Sequence, residues 1–342
     1  MSTLADIYIH HLNPVIVELP HTPLAIRWYG LAYVAGFILG YLVLLQLSKR
    51  KLYCIEPQNL SDFITLICLF GVLVGARLGE FFFYWLPANG LSGLWADPLW
   101  VLRVWEGGMA SHGGILAVLI VSIIYCRRHH LSLPSVADGL AIVAPIGLFF
   151  GRVANFVNGE LYGRPCSPEN PLAMKFPQEI VELPHEALQA TAQHLEQVIN
   201  APLHTLRATT ESGQVTESVI DAIVRTSRES EPFRNALGEH LTPRYPSQLF
   251  EAFGEGLFIF VVLITLRLVW KKAPSGIFCA LFCFLYAAAR IVSECFKQPD
   301  APTWGFITRG QYLSFIIAGI GVFFLIIALR NRKKALASGC NS

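Results

Sequence analysis

WYGLAYVAGFILGYLVLLQLS, residues 28–48, holds no charged side chain. As a helix rising ~1.5 Å per residue, this stretch is about 31 Å long, enough to cross a hydrocarbon core of ~30 Å. The same test picks out six further runs. Residues 63–85 are apolar except for Arg77 and Glu80, and residues 107–126 contain only His112. Residues 139–159 contain only Arg152, and residues 247–266 carry Glu251 and Glu255 near their start. Residues 275–296 carry Arg290 and Glu294 near their end, and residues 310–329 are uncharged. The expected fold is therefore an all-α polytopic membrane protein with seven transmembrane helices.

Composition agrees. Of 342 residues, 54% are hydrophobic and 15% charged, against roughly 25% charged in an average soluble domain. A net charge of +2, with no basic run interleaved with aromatics, gives no footprint for nucleic acid. Eight cysteines are present, but only Cys166 lies in the large polar segment, so no disulfide framework is expected. Cys279 and Cys283 are four apart on an apolar helix and read as small core residues rather than a metal pair. Residues 1–27 lack a basic start followed by a short apolar core, so no cleavable signal is expected there.

Loop charges set the orientation. Lys49, Arg50, Lys51, Arg127, Arg128, Arg267, Lys271, Lys272, Arg330, Arg332, Lys333 and Lys334 flank one side. Only Arg27, Arg103, Lys297 and Arg309 flank the other. Twelve against four places the N-terminus outside and the C-terminus in the cytoplasm, as seven crossings require. The division expected is spans 1–4 over residues 1–163, a polar insert over 164–245 on the outside, and spans 5–7 with a cytoplasmic tail over 246–342. The insert, punctuated by prolines and Gly213, reads as a small head with amphipathic helices over 184–200 and 214–230.

Charges inside membrane helices cost about 2.5–3.5 kcal/mol each on an insertion scale, so they mark candidate sites. Spans two, four and six run outward, with Arg77, Glu80, Arg152, Arg290 and Glu294 late in them. Spans one, three, five and seven run inward, with Tyr29, His112, Glu251 and Glu255 at their starts. Every candidate thus falls in the outer half of the bilayer. A transporter, the competing reading, calls for polar groups at the midplane or along a path; a one-sided cluster suits work on a lipid headgroup. Arg152 and Asn155 share a helical face, as do Tyr286, Arg290 and Glu294, and Glu160 follows the fourth span. Arg290 with Glu294, and Arg77 with Glu80, could instead be internal ion pairs that offset burial. His112 lies among Gly107, Gly108, Gly113 and Gly114, which permit close backbone approach. Glycines four apart (Gly36 and Gly40; Gly71, Gly75 and Gly79; Gly147 and Gly151) read as helix-packing contacts.

The segments RWYG (27–30), RVWEGGMASHGG (103–114), GRVANFVNGELYGR (151–164), RYPSQLFEAFGEG (244–256), ARIVSECFKQPD (289–300) and GQYLS (310–314) resemble the bacterial phosphatidylglycerol–prolipoprotein diacylglyceryl transferases, in family order and over almost the whole chain. The resemblance implies transfer of the diacylglyceryl group of phosphatidylglycerol to the lipobox cysteine of a prolipoprotein in the inner membrane, releasing glycerol phosphate. It also implies functional roles for Tyr29, His112, Arg152, Asn155, Glu160, Gly163, Arg290 and Glu294, with Tyr286 and Glu251 nearby. Arg27, Tyr245 and Lys297 depart from residues common in the family.

That chemistry needs a base for a thiol whose ordinary pKa is ~8.5, which a neutral His112 can supply. Attack falls on an sp³ carbon, so charge builds on the departing phosphate, and the planar guanidiniums of Arg152 and Arg290 suit its oxygens. Glu160 and Glu294 would orient the arginines or glycerol hydroxyls, and Asn155 and Tyr29 would add neutral hydrogen bonds. No metal-ligand spacing or phosphate-cradling loop is present, so no cofactor is expected.

Overall fold

The computed structural model describes residues 7–18, 25–103, 108–208, 217–299 and 307–337. Gly107, Gly213, Cys340 and parts of the segments 103–114, 214–230 and 289–300 lie outside these residues. The main helices are α1 (Trp28–Lys49), α2 (Pro57–Gly90), α3 (Ser111–Arg128) and α4 (Leu133–Asn158). After the polar insert come α8 (Ser247–Val269), α9 (Ile277–Ser293) and α10 (Arg309–Ala337). Six of these, all but α9, are long and apolar enough to cross a membrane. The run 275–296 yields only the 17 residues of α9, about 25 Å of helix. It loses two residues at its start, where Gly276 at φ +98° holds the chain in a turn, and three at its end, where the chain turns over 294–296. The protein is a multi-pass membrane protein by the apolar length of its helices.

The all-α expectation needs correcting in detail. Among the described residues there are four short strands: β1 (Tyr8–Ile9), β2 (Val15–Glu18), β3 (Ala25–Arg27) and β4 (Met174–Lys175). β2 and β3 pair antiparallel just before α1, and β1 pairs parallel with β4, tying the N-terminal segment to the insert. The insert holds α5 (His185–Ile199), α6 (Val219–Glu229) and α7 (Glu231–Glu239) around its own core of Ile180, Leu195, Ile223, Phe233 and Leu237. α7 was not expected from the sequence, although Ser230 caps it and Pro232 lies in its first turn.

The bundle has two unlike ends. Leu44, Leu47, Leu60, Phe63, Tyr125, Val136, Leu263 and Phe278 pack into one hydrophobic core, where α1 ends and α2, α4 and α9 begin. At the opposite end, glycines let the helices approach. A Cβ on Gly79 would lie 2.5 Å from the Cα of Gly113, joining α2 to α3, and one on Gly36 would touch the Cα of Gly147 at 3.5 Å, joining α1 to α4. The expected packing role of these glycine rows is visible at Gly36, Gly40, Gly71, Gly75 and Gly79, whereas a Cβ on Gly151 would meet nothing within 4 Å.

Candidate active site

The antiparallel course of the helices brings the end of α4 and of α9 to the start of α1, α8 and α10. A β-like seam fastens this end. Gly163 N–H donates to the Tyr245 carbonyl at 2.9 Å, Arg164 N–H to that of Phe296 at 2.8 Å, and Tyr245 N–H to that of Arg164 at 3.2 Å. A Cβ on Gly163 would stand 2.6 Å from both the Phe296 and the Tyr245 carbonyl oxygens, so only glycine fits there. Tyr245 contributes its backbone to the seam and Lys297 pairs with Gly163 across it.

Arg152 and Arg290 meet over a set of buried carboxylates. Gly256 lets α8 approach α4 so closely that a Cβ there would lie 2.6 Å from the Cβ of Phe149. One turn further along α4, Arg152 Nε reaches Glu251 Oε2 at 2.7 Å, and its Nη2 lies 3.7 Å from Glu255 Oε2. Arg290 Nη1 lies 3.4 Å from Glu251 Oε1 and 3.3 Å from Glu255 Oε1, and its Nη2 pairs with Glu294 Oε1 at 2.7 Å. Burial grades across the cluster: the side chains of Glu251, Glu255 and Glu294 are 1%, 0% and 4% exposed, those of Arg152 and Arg290 18% and 12%. The carboxylates are sealed behind, and the guanidiniums present what remains accessible.

Glu294 is held in turn. Thr308 Oγ1 donates to its Oε2 at 2.8 Å. Thr308 and Gln311 form a reciprocal cap at the start of α10, with Thr308 N–H on Gln311 Oε1 at 3.1 Å and Gln311 N–H on Thr308 Oγ1 at 3.2 Å. A Cβ on Gly310 would collide with the Glu294 carboxylate. The cap therefore fixes Thr308, Thr308 fixes Glu294, and Glu294 fixes one arm of Arg290.

Next to this cluster, Asn155 Nδ2 donates to Glu160 Oε1 at 2.7 Å and reaches the Tyr29 hydroxyl at 3.5 Å. Glu160 follows Gly159, whose φ of +73° ends α4, and Gln248 Nε2 donates to the Glu160 carbonyl at 2.7 Å. Tyr286 lies one turn before Arg290 and stacks on Phe282. The structure thus groups Arg152, Glu251, Arg290 and Glu294, and separately Tyr29, Asn155 and Glu160, at one end of the bundle. His112 is the second residue of α3 and exposed; among the described residues its side chain makes no hydrogen bond, ion pair or ring contact, and none with the arginines.

Arg77 proves different from Arg152 and Arg290. It donates to the carbonyls of Trp100 (2.6 Å), Arg103 (2.9 Å), Val101 (3.0 Å) and Gly108 (3.0 Å), and its guanidinium lies over the Trp100 ring. It organises the loop before α3. Glu255, placed at the outer end of its span by the sequence but given no role by the family resemblance, joins this cluster. Its signal was two acids four apart on an apolar helix, tolerable only if cations face them. The helix is π-wound over Ala252–Phe258, a form frequent at functional sites. Thr308, Gln311 and Gly310 carried no signal until α9 and α10 were placed together.

Known proteins match this chain along nearly its full length. A family model described as prolipoprotein diacylglyceryl transferase matches residues 14–327. A phosphatidylglycerol–prolipoprotein diacylglyceryl transferase of Bdellovibrio bacteriovorus is 41% identical, over 94% of each chain. Proteins of the same name from Azospirillum brasilense and Escherichia coli O1:K1 are 34% and 33% identical, over 95% and 94% of this chain and 97% and 96% of theirs. The chain belongs to the prolipoprotein diacylglyceryl transferase family.

Proposed function

We propose that this protein is a transferase that moves the diacylglyceryl group of phosphatidylglycerol onto the thiol of a prolipoprotein's lipobox cysteine. The carrying observation is the pair of partly accessible guanidiniums, Arg152 and Arg290, backed by sealed carboxylates at one end of an apolar bundle. In the reaction a C–S bond forms at the glycerol carbon while the C–O bond to phosphate breaks. The thiol proton goes to His112, and glycerol phosphate departs with one more negative charge than the phosphodiester carried. A guanidinium has five N–H donors. Arg152 pairs with the glutamates through Nε and Nη2, and Arg290 through Nη1 and Nη2, each Nη keeping a second hydrogen. Arg152 Nη1 and Arg290 Nε, which pair with no glutamate, lead the donors offered to phosphate oxygens, where charge-assisted bonds in a poorly hydrated setting count most. Asn155, Tyr29 and Glu160 form the hydrogen-bonding flank that orients the glycerol hydroxyls. Gly163 keeps the seam closed beneath them.

The same reading places seven spans in the inner membrane, α9 being the sixth in chain order, with the N-terminus and the insert 164–245 periplasmic and the C-terminus cytoplasmic. What supports it is the antiparallel sequence α8, α9, α10, which sends the end of α9 to the polar end, together with the twelve-to-four split of basic flanks. A transporter is disfavoured because the relatives carry a transferase name and because the arginine–glutamate cluster is confined to one end. The test uses purified protein, phosphatidylglycerol labelled in its diacylglyceryl part and a lipobox cysteine peptide. A labelled thioether should form with wild type and disappear with Arg152→Ala and His112→Gln. No thioether from folded wild-type protein refutes the function, and full activity of His112→Gln removes His112 as the base.

A further inference from the structure

The bundle end opposite the arginine–glutamate cluster carries two adjoining cavities that the transfer reaction does not use. One is a trough of about 280 Å³ between α1 and α8, walled by Leu39, Leu42, Val43, Leu47, Ile264 and Leu268, with Arg50 at its mouth. The other is a polar cavity of about 230 Å³ whose lining includes Lys51, Tyr53, Ser135, Asp138, Arg267 and Ser275. Leu47 is a wall of both. The trough lies along helices that cross the membrane, so its surroundings are acyl chains. The polar cavity lies at the level where those helices end, among basic residues.

We propose that these two cavities form one binding site for a single anionic phospholipid, distinct from the lipid consumed in catalysis. An acyl chain fills the trough, and the phosphate lies between Arg50 and Lys51 at the junction. The charges are disposed for this. Arg50 and Lys51 are exposed, and among the described residues their side chains have no ion pair. The one carboxylate in the polar cavity, Asp138, is already engaged by the N–H groups of Gly276 (2.7 Å) and Cys279 (2.8 Å), so it does not take the cations from a phosphate. Arg267 is anchored through Nε on the Leu52 carbonyl at 2.8 Å and forms a fixed positive wall. Basic flanks alone would set orientation in the membrane; they would not need an apolar trough ending at Arg50. The assignment of this lipid to the cytoplasmic leaflet rests on the orientation proposed above, but the site itself does not.

Native mass spectrometry of the full chain released from vesicles of phosphatidylserine and phosphatidylcholine tests the proposal. Phosphatidylserine supplies the anionic headgroup without being the proposed substrate. Wild type should retain one phosphatidylserine in preference to phosphatidylcholine. Arg50→Gln with Lys51→Gln should weaken retention about tenfold or more while leaving ten of the twelve basic flanking residues in place. Leu42→Trp, which fills the trough and changes no charge, should weaken it too, and Arg152→Ala should leave it unchanged. Equal retention of the two lipids, indifference to both trough-end variants, or loss of the lipid in Arg152→Ala would overturn the proposal. Thioether formation is read separately in the same preparations, so failure of the transferase reading and failure of the lipid site give different results.

Discussion

Replacing Arg152 by Lys keeps the charge that balances the buried glutamates and removes the fork. Arg152 now holds Glu251 through Nε at 2.7 Å, keeps Nη2 3.7 Å from Glu255, and leaves Nη1 free for a phosphate oxygen. A lysine ammonium has one nitrogen and cannot point in both directions at once. With the glutamate contact retained, the variant loses one charge-assisted hydrogen bond to substrate, worth about 1.5–3 kcal/mol. At 1.36 kcal/mol per factor of ten, kcat/KM should fall by about 10- to 150-fold. Stability should change little, with the thermal midpoint within about 4 °C of wild type, because the buried carboxylates still face a cation. The assay is the initial rate of thioether formation at low phosphatidylglycerol, alongside thermal unfolding in the same detergent. If Arg152→Lys works within about threefold of wild type, the guanidinium serves only to neutralise Glu251 and Glu255, and the phosphate-binding role assigned to it is wrong.

Three further outcomes follow from the geometry. Gly113→Ala should destabilise the bundle by about 1–3 kcal/mol, because its Cβ meets the Gly79 Cα at 2.5 Å, whereas Gly114→Ala, with Ala76 Cβ at 3.7 Å, should be nearly silent in thermal unfolding. Arg77→Met should speed proteolysis of the loop before α3, since the carbonyls of Trp100, Val101, Arg103 and Gly108 lose their shared donor; cleavage no faster than wild type would refute the anchoring role. His10, buried between Phe156 and Phe176, is pushed by desolvation from 6.5 down to about 4. It is neutral in the folded protein and takes a proton on unfolding, so stability is full above about pH 6.5 and declines as pH falls towards 4, by about 3 kcal/mol in total. His10→Phe should flatten that decline in hydrogen exchange around β1 and β4.

The spans were legible because an uncharged run has few other destinations, and the polar end was legible because spans alternate in direction. Tyr29, Arg152, Glu251 and Arg290 could be placed at one depth from numbering alone. What numbering does not carry is azimuth. Glu255 faces the arginines through a π-wound turn, and Glu294 is steadied by a cap on α10 fourteen residues downstream. Neither depends on spacing within one helix. β1 and β4 are two residues each, too short to leave a period in the sequence, and their pairing is a property of the assembled insert. For His112 the sequence gives the depth, while among the described residues no contact joins its side chain to the arginines.

The balance of the cluster bears on turnover. Two arginines face three glutamates, and Lys297, buried at the seam, is within electrostatic reach of Glu251. Counted with that lysine the ensemble is close to neutral, which limits the cost of holding six ionisable groups in an apolar bundle. Neutrality also constrains how the substrate binds. A net-positive pocket would attract phosphatidylglycerol, with one negative charge, but would hold the glycerol phosphate product, which approaches two, more tightly still. With the glutamates in place, attraction comes from the few N–H donors that Arg152 and Arg290 leave uncommitted, and these act on whichever oxygens are positioned against them. Affinity then depends on geometry more than on total charge, and the product, once detached from the acyl chains that held it in register, gains less from its extra charge. On this argument Glu255→Gln should slow release of glycerol phosphate while leaving phosphatidylglycerol binding nearly intact. A pre-steady-state burst of thioether would then appear in the variant and not in wild type. Without that burst, the third carboxylate serves only the stability of the bundle.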